Sequence, residues 1–138
     1  MVVVPAEGLQ YLLDLMMRDP TVTGKDFILG LFENNLTITA NTVLADVVVC
    51  SWAGYLPVTM PRGDWSAAQI TSFFAQTAFG TGFTIFECTG GTGTTRGYYV
   101  TDADANFLLW GEKFADPITM STGIQVPVLP TLRMRSEF

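Results

Sequence analysis

The chain has 138 residues, of which 49% are apolar and 14% charged, with a net charge of −6. That length fits one domain around one hydrophobic core, and the composition is too apolar for a disordered chain. Charge is also sparser than in an average soluble domain, so partners are expected to cover part of the apolar surface. Seven Lys and Arg are scattered without a basic run, and no nucleic-acid partner is expected, because that binding needs clustered cations to neutralise phosphates. Histidine is absent, which removes the commonest general base and the commonest transition-metal ligand. Cys50 and Cys88 sit among strand-forming residues and read as buried free thiols rather than a disulfide. No leader-like segment is visible, and no apolar stretch is long enough to span a bilayer, so a soluble chain with no membrane partner is expected.

Pro5 suits a first helical turn, and Leu9, Leu12, Leu13, Met16 and Met17 then recur at three- and four-residue spacing. The pattern predicts one short N-terminal helix, stopped by Pro20. A single domain is expected over 1–138, divided into a helical arm over 1–20 and a β domain over 25–135. The apolar stripe has two readings: a cap on an open end of the β core, or an arm docked on a neighbouring subunit. Residues 27–32 form an apolar run suited to a strand buried on both faces, and Glu33, Asn34 and Asn35 break it. Residues 43–50 are β-branched and expected to be extended, and residues 56–60 are a further strand closed by Pro61. In 66–79, Ser66 and Gln69 have capping-box spacing, yet the Thr and Phe content predicts a strand.

Residues 83–88 read as a strand, 89–95 as a glycine-rich hairpin loop and 96–101 as the returning strand. Residues 102–106 are a turn, and 107–114 a strand ended by Asp116 and Pro117. Ile124, Val126, Val128, Leu132 and Met134 alternate with Gln125, Thr131, Arg133 and Arg135, the period of a half-buried strand. Pro127 and Pro130 place that strand at an edge or a bulge. Roughly seven short strands with regular turn signals predict a mostly-β chain, an antiparallel β-sandwich or barrel-like fold with one short N-terminal helix.

Motifs that carry chemistry are incomplete. Residues 90–97 lack the Lys-Ser or Lys-Thr of a phosphate loop. Asp102 and Asp104 lack the Gly and distant Glu of a calcium loop. Asp46, Asp64, Glu87 and Glu112 offer carboxylates without a defined pairing, and the serines have neither a His partner nor a nucleophile elbow. No catalytic, cofactor-binding or metal-binding residue is assigned, and the chain is not expected to be an enzyme. Trp52, Tyr55, Trp65, Tyr98, Tyr99 and Trp110 fill a core, anchor a protein interface or line a sugar groove. The candidate interface residues are Leu9, Leu12, Leu13, Met16, Met17, Trp52, Tyr55, Arg133 and Arg135.

Several segments together resemble a family of small virion proteins of tailed bacteriophages. They are the run from Leu29 through Asn34 and Asn35 to Thr37, then Thr42-Val43-Leu44-Ala45-Asp46, then Trp52-Ala53-Gly54-Tyr55. Gly97-Tyr98-Tyr99-Val100-Thr101-Asp102, Leu108-Leu109-Trp110-Gly111-Glu112-Lys113-Phe114 and the opening Val4-Pro5-Ala6-Glu7-Gly8 extend the likeness over most of the chain. Ile38 stands where that family commonly has Pro, and Val47-Val48-Val49 replaces a more acidic stretch. The resemblance implies a capsid decoration or cement protein that binds the major capsid protein. A tail or fibre component that binds a host-surface glycan or receptor is the alternative. It further implies residence on the capsid surface after a soluble stage in the host cytoplasm. A homo-oligomer, taken as a trimer, is expected from the need to bury apolar surface around a symmetry axis.

Overall fold

The structure, a computed structural model, describes residues 4, 5, 7, 8, 26–61, 64–66, 69–71, 74–80 and 82–135. Among the described residues nine strands account for most of the regular structure: β1 Phe27–Phe32, β2 Val58–Met60, β3 Gln69–Thr71, β4 Phe74–Ala78, β5 Thr84–Glu87, β6 Gly93–Asp102, β7 Leu108–Met120, β8 Gln125–Val128 and β9 Thr131–Arg135. All pairings between them are antiparallel. The mostly-β, antiparallel expectation therefore holds. The predicted helix over Leu9, Leu12, Leu13, Met16 and Met17 lies outside the described residues. Among the described residues no helix is long and apolar enough to cross a membrane.

One sheet has the order β2-β1-β6-β7. Side chains alternate across a strand, so β1 sends Leu29 and Leu31 to one face and Gly30 and Phe32 to the other. In register with them, β6 sends Val100 and Tyr98 to the first face and Tyr99 and Gly97 to the second. The first face meets β5 and β8, and Leu29, Leu31, Val100, Trp110, Phe86, Val126 and Val128 share one buried core. On the second face Phe32, Ile38, Tyr99 and Leu108 form another core, closed by Leu36, Leu44 and Val47 from the long loop after β1. A sheet covered on both sides explains why β1 reads as an unbroken apolar run.

Three glycines make that second core possible. A β-carbon at Gly30 would overlap the Tyr99 ring, one at Gly97 the Phe32 ring, and one at Gly111 the Ile38 side chain. Tyr99 and Phe32 each lie over a glycine of the neighbouring strand, and Ile38 reaches Gly111 from the loop, so backbone and loop approach closely. The loop itself is fastened by short polar side chains. Asn34 donates from Nδ2 to the Asp46 carbonyl at 2.9 Å and accepts the Val48 N–H at 3.1 Å. Asp46 in turn accepts the Val43 N–H at 3.0 Å, capping a 3₁₀ turn over Leu44–Asp46. The expected strand over 43–50 is thereby reduced to a single bridge, Phe32 to Val49.

Other expectations are corrected by pairing. Residues 66–79 form a hairpin of β3 and β4 rather than one strand, and the Ser66 hydroxyl accepts the Ala78 N–H instead of capping a helix. The expected hairpin across the glycine-rich loop does not form: β5 pairs with β8, while β6 pairs with β1 and β7. The loop crosses between layers, with Gly91 in the left-handed region at φ 74°. β7 runs on through Pro117 because the register shifts there, from Gly97↔Lys113 to Thr95↔Ile118. Extra residues on one strand make a bulge, where a missing N–H costs no ladder bond. The final alternating segment is two strands, split where Pro130 offers only its carbonyl, which accepts the Phe79 N–H at 3.0 Å. Proline at an edge is borne out by Pro127, in a strand paired on one side only.

The glycine layer makes a direct prediction. Gly111→Ala forces Ile38 and the β6 backbone apart and is expected to cost about 1–3 kcal/mol in chemical denaturation. Gly82→Ala, which meets nothing within 4 Å, is expected to change stability by less than about 0.5 kcal/mol.

Candidate functional site

The polar groups that invite chemical readings are engaged in holding the fold. Asp102 is buried, and its Oδ1 accepts the N–H groups of Asn106 and Phe107, each at 2.8 Å. Ala105 completes that turn at φ 54°. Glu33 accepts from the Ser51 N–H and hydroxyl at 3.3 and 3.2 Å. Glu7 accepts the N–H groups of Leu44 at 3.1 Å and Leu108 at 2.8 Å, tying the start of the chain to the loop and to β7. Glu87 accepts from the Gln125 amide at 3.2 Å, and Glu112 from the Tyr98 hydroxyl at 3.4 Å. Among the described residues no three His, Cys, Asp or Glu are grouped to hold a metal. Cys50 and Cys88 are free and buried. Burial pushes the Cys50 thiol up, away from thiolate chemistry.

The residues proposed from sequence as interface anchors sit differently. Trp52 is 4% exposed, and its indole N–H donates to Thr95 Oγ1 at 3.1 Å. It presents no surface to a partner. Tyr55 is half-buried, edge-on to Trp52 at 5.4 Å and stacked on Phe86 at 6.0 Å. Its hydroxyl accepts the Leu31 N–H at 2.9 Å. That N–H lies where β2 has ended and residues 48–50 have begun, so the phenol fills a gap in the ladder along β1. Tyr55 and Tyr99, whose ring lies over Gly30, interact electrostatically. Trp52 is therefore a core residue, and Tyr55 packs against the same core from a half-buried position. Arg133 and Arg135 belong to β9, paired with Gln76 and Phe74, and Leu9, Leu12, Leu13, Met16 and Met17 lie outside the described residues. Trp110, 1% exposed, is buried as Trp52 is, and the half-buried Trp65 packs edge-on against it at 5.9 Å.

The surface that sequence reading missed is the outer face of β5 and β8. Phe83 is 65% exposed, Ile85 56% and Leu129 39%, and Pro127 is exposed beside them. Ile85 stands directly opposite Pro127, and the same register brings Phe83 to Leu129. Their alternate neighbours Phe86, Val126 and Val128 are buried. The ribbon is therefore apolar on both sides, whereas a surface strand ordinarily turns polar residues outward. At one end the strip stops at the hydrogen-bonded Glu87 and Gln125. The alternation 83, 85 and 127, 129 was present in sequence, but only the β5–β8 register makes it one surface. Comparison with protein-family models, with curated proteins and with solved structures finds no match to the chain.

Two outcomes test this account of the aromatic residues. Tyr55→Phe leaves the Leu31 N–H without its acceptor and is expected to destabilise by about 1–3 kcal/mol. Burial holds the Tyr55, Tyr98 and Tyr99 phenols above their ordinary value of 10.0. The unfolded chain loses these protons first, so their contribution is intact below pH 10.0 and is lost as pH rises above it. In a Tyr11→Phe variant, which keeps only these three of the four tyrosines, phenolate absorbance and loss of far-ultraviolet dichroism are expected to appear together in an alkaline titration; phenolate absorbance appearing in the still-folded variant would contradict this.

Proposed function

We propose that this chain is a non-enzymatic structural protein that binds another protein through the outer face of β5 and β8. In the setting its sequence resembles, a tailed-phage particle, it decorates the shell and its partner is the major capsid protein. The observation that carries the reading is the uncharged strip of Phe83, Ile85, Pro127 and Leu129, held open on a ribbon whose other side is locked into the core. Contiguous exposed apolar surface of this kind is characteristic of protein–protein contact. A role in reinforcing a shell is supported by two further features. The stretches that carry the phage resemblance, such as Asn34, Asp46, Trp52 and Tyr55, are engaged in internal bonds that stiffen the fold. The carboxylates of Glu7, Glu33, Asp46, Glu87, Asp102 and Glu112 accept from backbone or side-chain donors.

Mixing the purified chain with shells that lack it is expected to give saturable binding and a higher shell melting temperature. The double substitution Phe83→Glu with Leu129→Glu is expected to weaken binding at least about a hundredfold, since truncating anchors commonly costs more than 1 kcal/mol each and buried charges add to that. Its far-ultraviolet dichroism is expected to match the parent. Absence of the chain from particles, together with no binding to shells, would end the capsid reading.

A further inference from the structure

The ribbon has an edge as well as a face, and the edge is unusual. Ile85 pairs with Pro127, and Pro127 has no N–H. In an antiparallel ladder hydrogen-bonded and non-hydrogen-bonded pairs alternate. The Ile85–Pro127 pair must then be of the second type, which turns the N–H and C=O of Ile85 away from β8. The Cys88 N–H, three residues on, donates inward to the Ile124 carbonyl at 3.0 Å, as this alternation requires. Among the described residues no partner is found for either Ile85 group.

This opening is a window. Before it in the chain, residues 64–66 are bonded to the end of β4, with Ser66 N–H on the Ala78 carbonyl at 2.8 Å and Gly80 N–H on the Asp64 carbonyl at 2.9 Å, and among the described residues no backbone bond joins them to β5. After it, the Ala53 carbonyl accepts the Thr89 N–H at 2.9 Å, and Gly54 abuts the Glu87 carbonyl. Among the described residues, no strand other than β8 pairs with the stretch Phe83, Thr84 and Ile85. Proteins ordinarily blunt such edges with Pro, with charge or with short strands. The other edges here follow that rule. β2 has three residues between Pro57 and Pro61, and β3 also has three. β7 carries Pro117, and its Leu108 N–H is held by Glu7. β8 carries Pro127, and β9 carries Arg133 and Arg135. β5 has no Pro, Lys or Arg, and its one charge, Glu87, is bonded by Gln125.

We infer that the β5 edge pairs with the β5 edge of a second copy of this chain, antiparallel about a two-fold axis at Thr84. The edge is complementary to itself in this register. Ile85 N–H donates to the Phe83 carbonyl of the second copy, the Ile85 carbonyl accepts the N–H of that Phe83, and symmetry repeats both bonds. Ile85 then stands beside the aromatic ring of Phe83 on the outer face, twice, and Thr84 faces Thr84 on the inner face. Aromatic–β-branched and Thr–Thr pairs are among the favourable cross-strand combinations. The two Glu87 carboxylates fall about 20 Å apart along the strands, so like charges do not meet. Gly54 excludes registers displaced toward Glu87. A ring of three would need β5 to meet a different edge on each neighbour, and those edges are blunted. The two-fold pairing therefore replaces the three-fold expectation, and it joins two apolar strips into one four-stranded face.

The test uses the free chain, so its outcome is separate from shell binding. Sedimentation equilibrium of the full chain is expected to give twice the 15.1 kDa monomer mass. Ile85→Lys puts a charge at the pairing edge and is expected to raise the dissociation constant at least about tenfold while the far-ultraviolet dichroism holds. Ile85→Pro deletes the outward N–H without removing a β8 bond and is expected to do the same. If that proline variant does not fold, exchange of the Ile85 amide decides: slow in the dimer, and faster on dilution toward the monomer. A monomeric or trimeric mass for the parent chain, or a dimer that persists in folded Ile85→Lys, would overturn the inference.

Discussion

The close contact between three strand glycines and the large side chains above them governs the rest of this structure. Gly30, Gly97 and Gly111 leave the second face of the four-stranded sheet without β-carbons where Tyr99, Phe32 and Ile38 must lie. Glycine inside a strand ordinarily weakens it, through backbone entropy and lost packing. Here the rings and the isoleucine restore the missing contacts. The sheet is thus buried on both faces, although part of one cover is irregular chain rather than a second sheet or a helix.

The polar loop residues follow from that arrangement. A loop laid on a sheet brings backbone N–H and C=O groups out of water, and each needs a partner. Asn34, Asp46 and Glu33 supply partners from short side chains, and Tyr55 supplies one from across the ladder. Tyr55 also interacts electrostatically with Tyr99, the ring that covers Gly30. The glycine layer, the loop clasp and the aromatic core are therefore mechanically one unit. Residues that look like binding or catalytic groups in the sequence are occupied in making it.

That division of labour bears on function. With Asn34, Asp46, Glu33, Trp52 and Tyr55 turned to internal bonds, the proposed role rests on shape, apolar area and backbone groups. All three coincide on β5 and β8, where Phe83, Ile85 and Leu129 are exposed and, among the described residues, β5 pairs with β8 alone. A face that docks and an edge that pairs are compatible, because one uses side chains normal to the sheet and the other uses backbone in its plane. Together they suit a component that spreads over a larger protein surface.

Composition and period carried much of the outcome. The apolar run of β1, the turn at Asp102, the edge placement of Pro127 and the free state of Cys50 and Cys88 were legible, because each rests on local patterning or single-residue chemistry. Strand partners were not legible. β5 and β6 are neighbours in sequence and looked like a hairpin, yet they belong to different layers. The segment around Val43 has the β-branched content of a strand, yet Asn34 and Asp46 bend it into a turned loop. Trp52 and Tyr55 looked like surface anchors because aromatic residues serve cores and interfaces alike. Which side of a strand meets water depends on register, and register depends on residues far away in the chain. The sequence alone could therefore specify a mostly-β body with little free chemistry. Only tertiary pairing could decide that Phe83, Ile85, Pro127 and Leu129 share one exposed face, because pairs such as Ile85 and Pro127 are distant along the chain and become neighbours through the β5–β8 ladder.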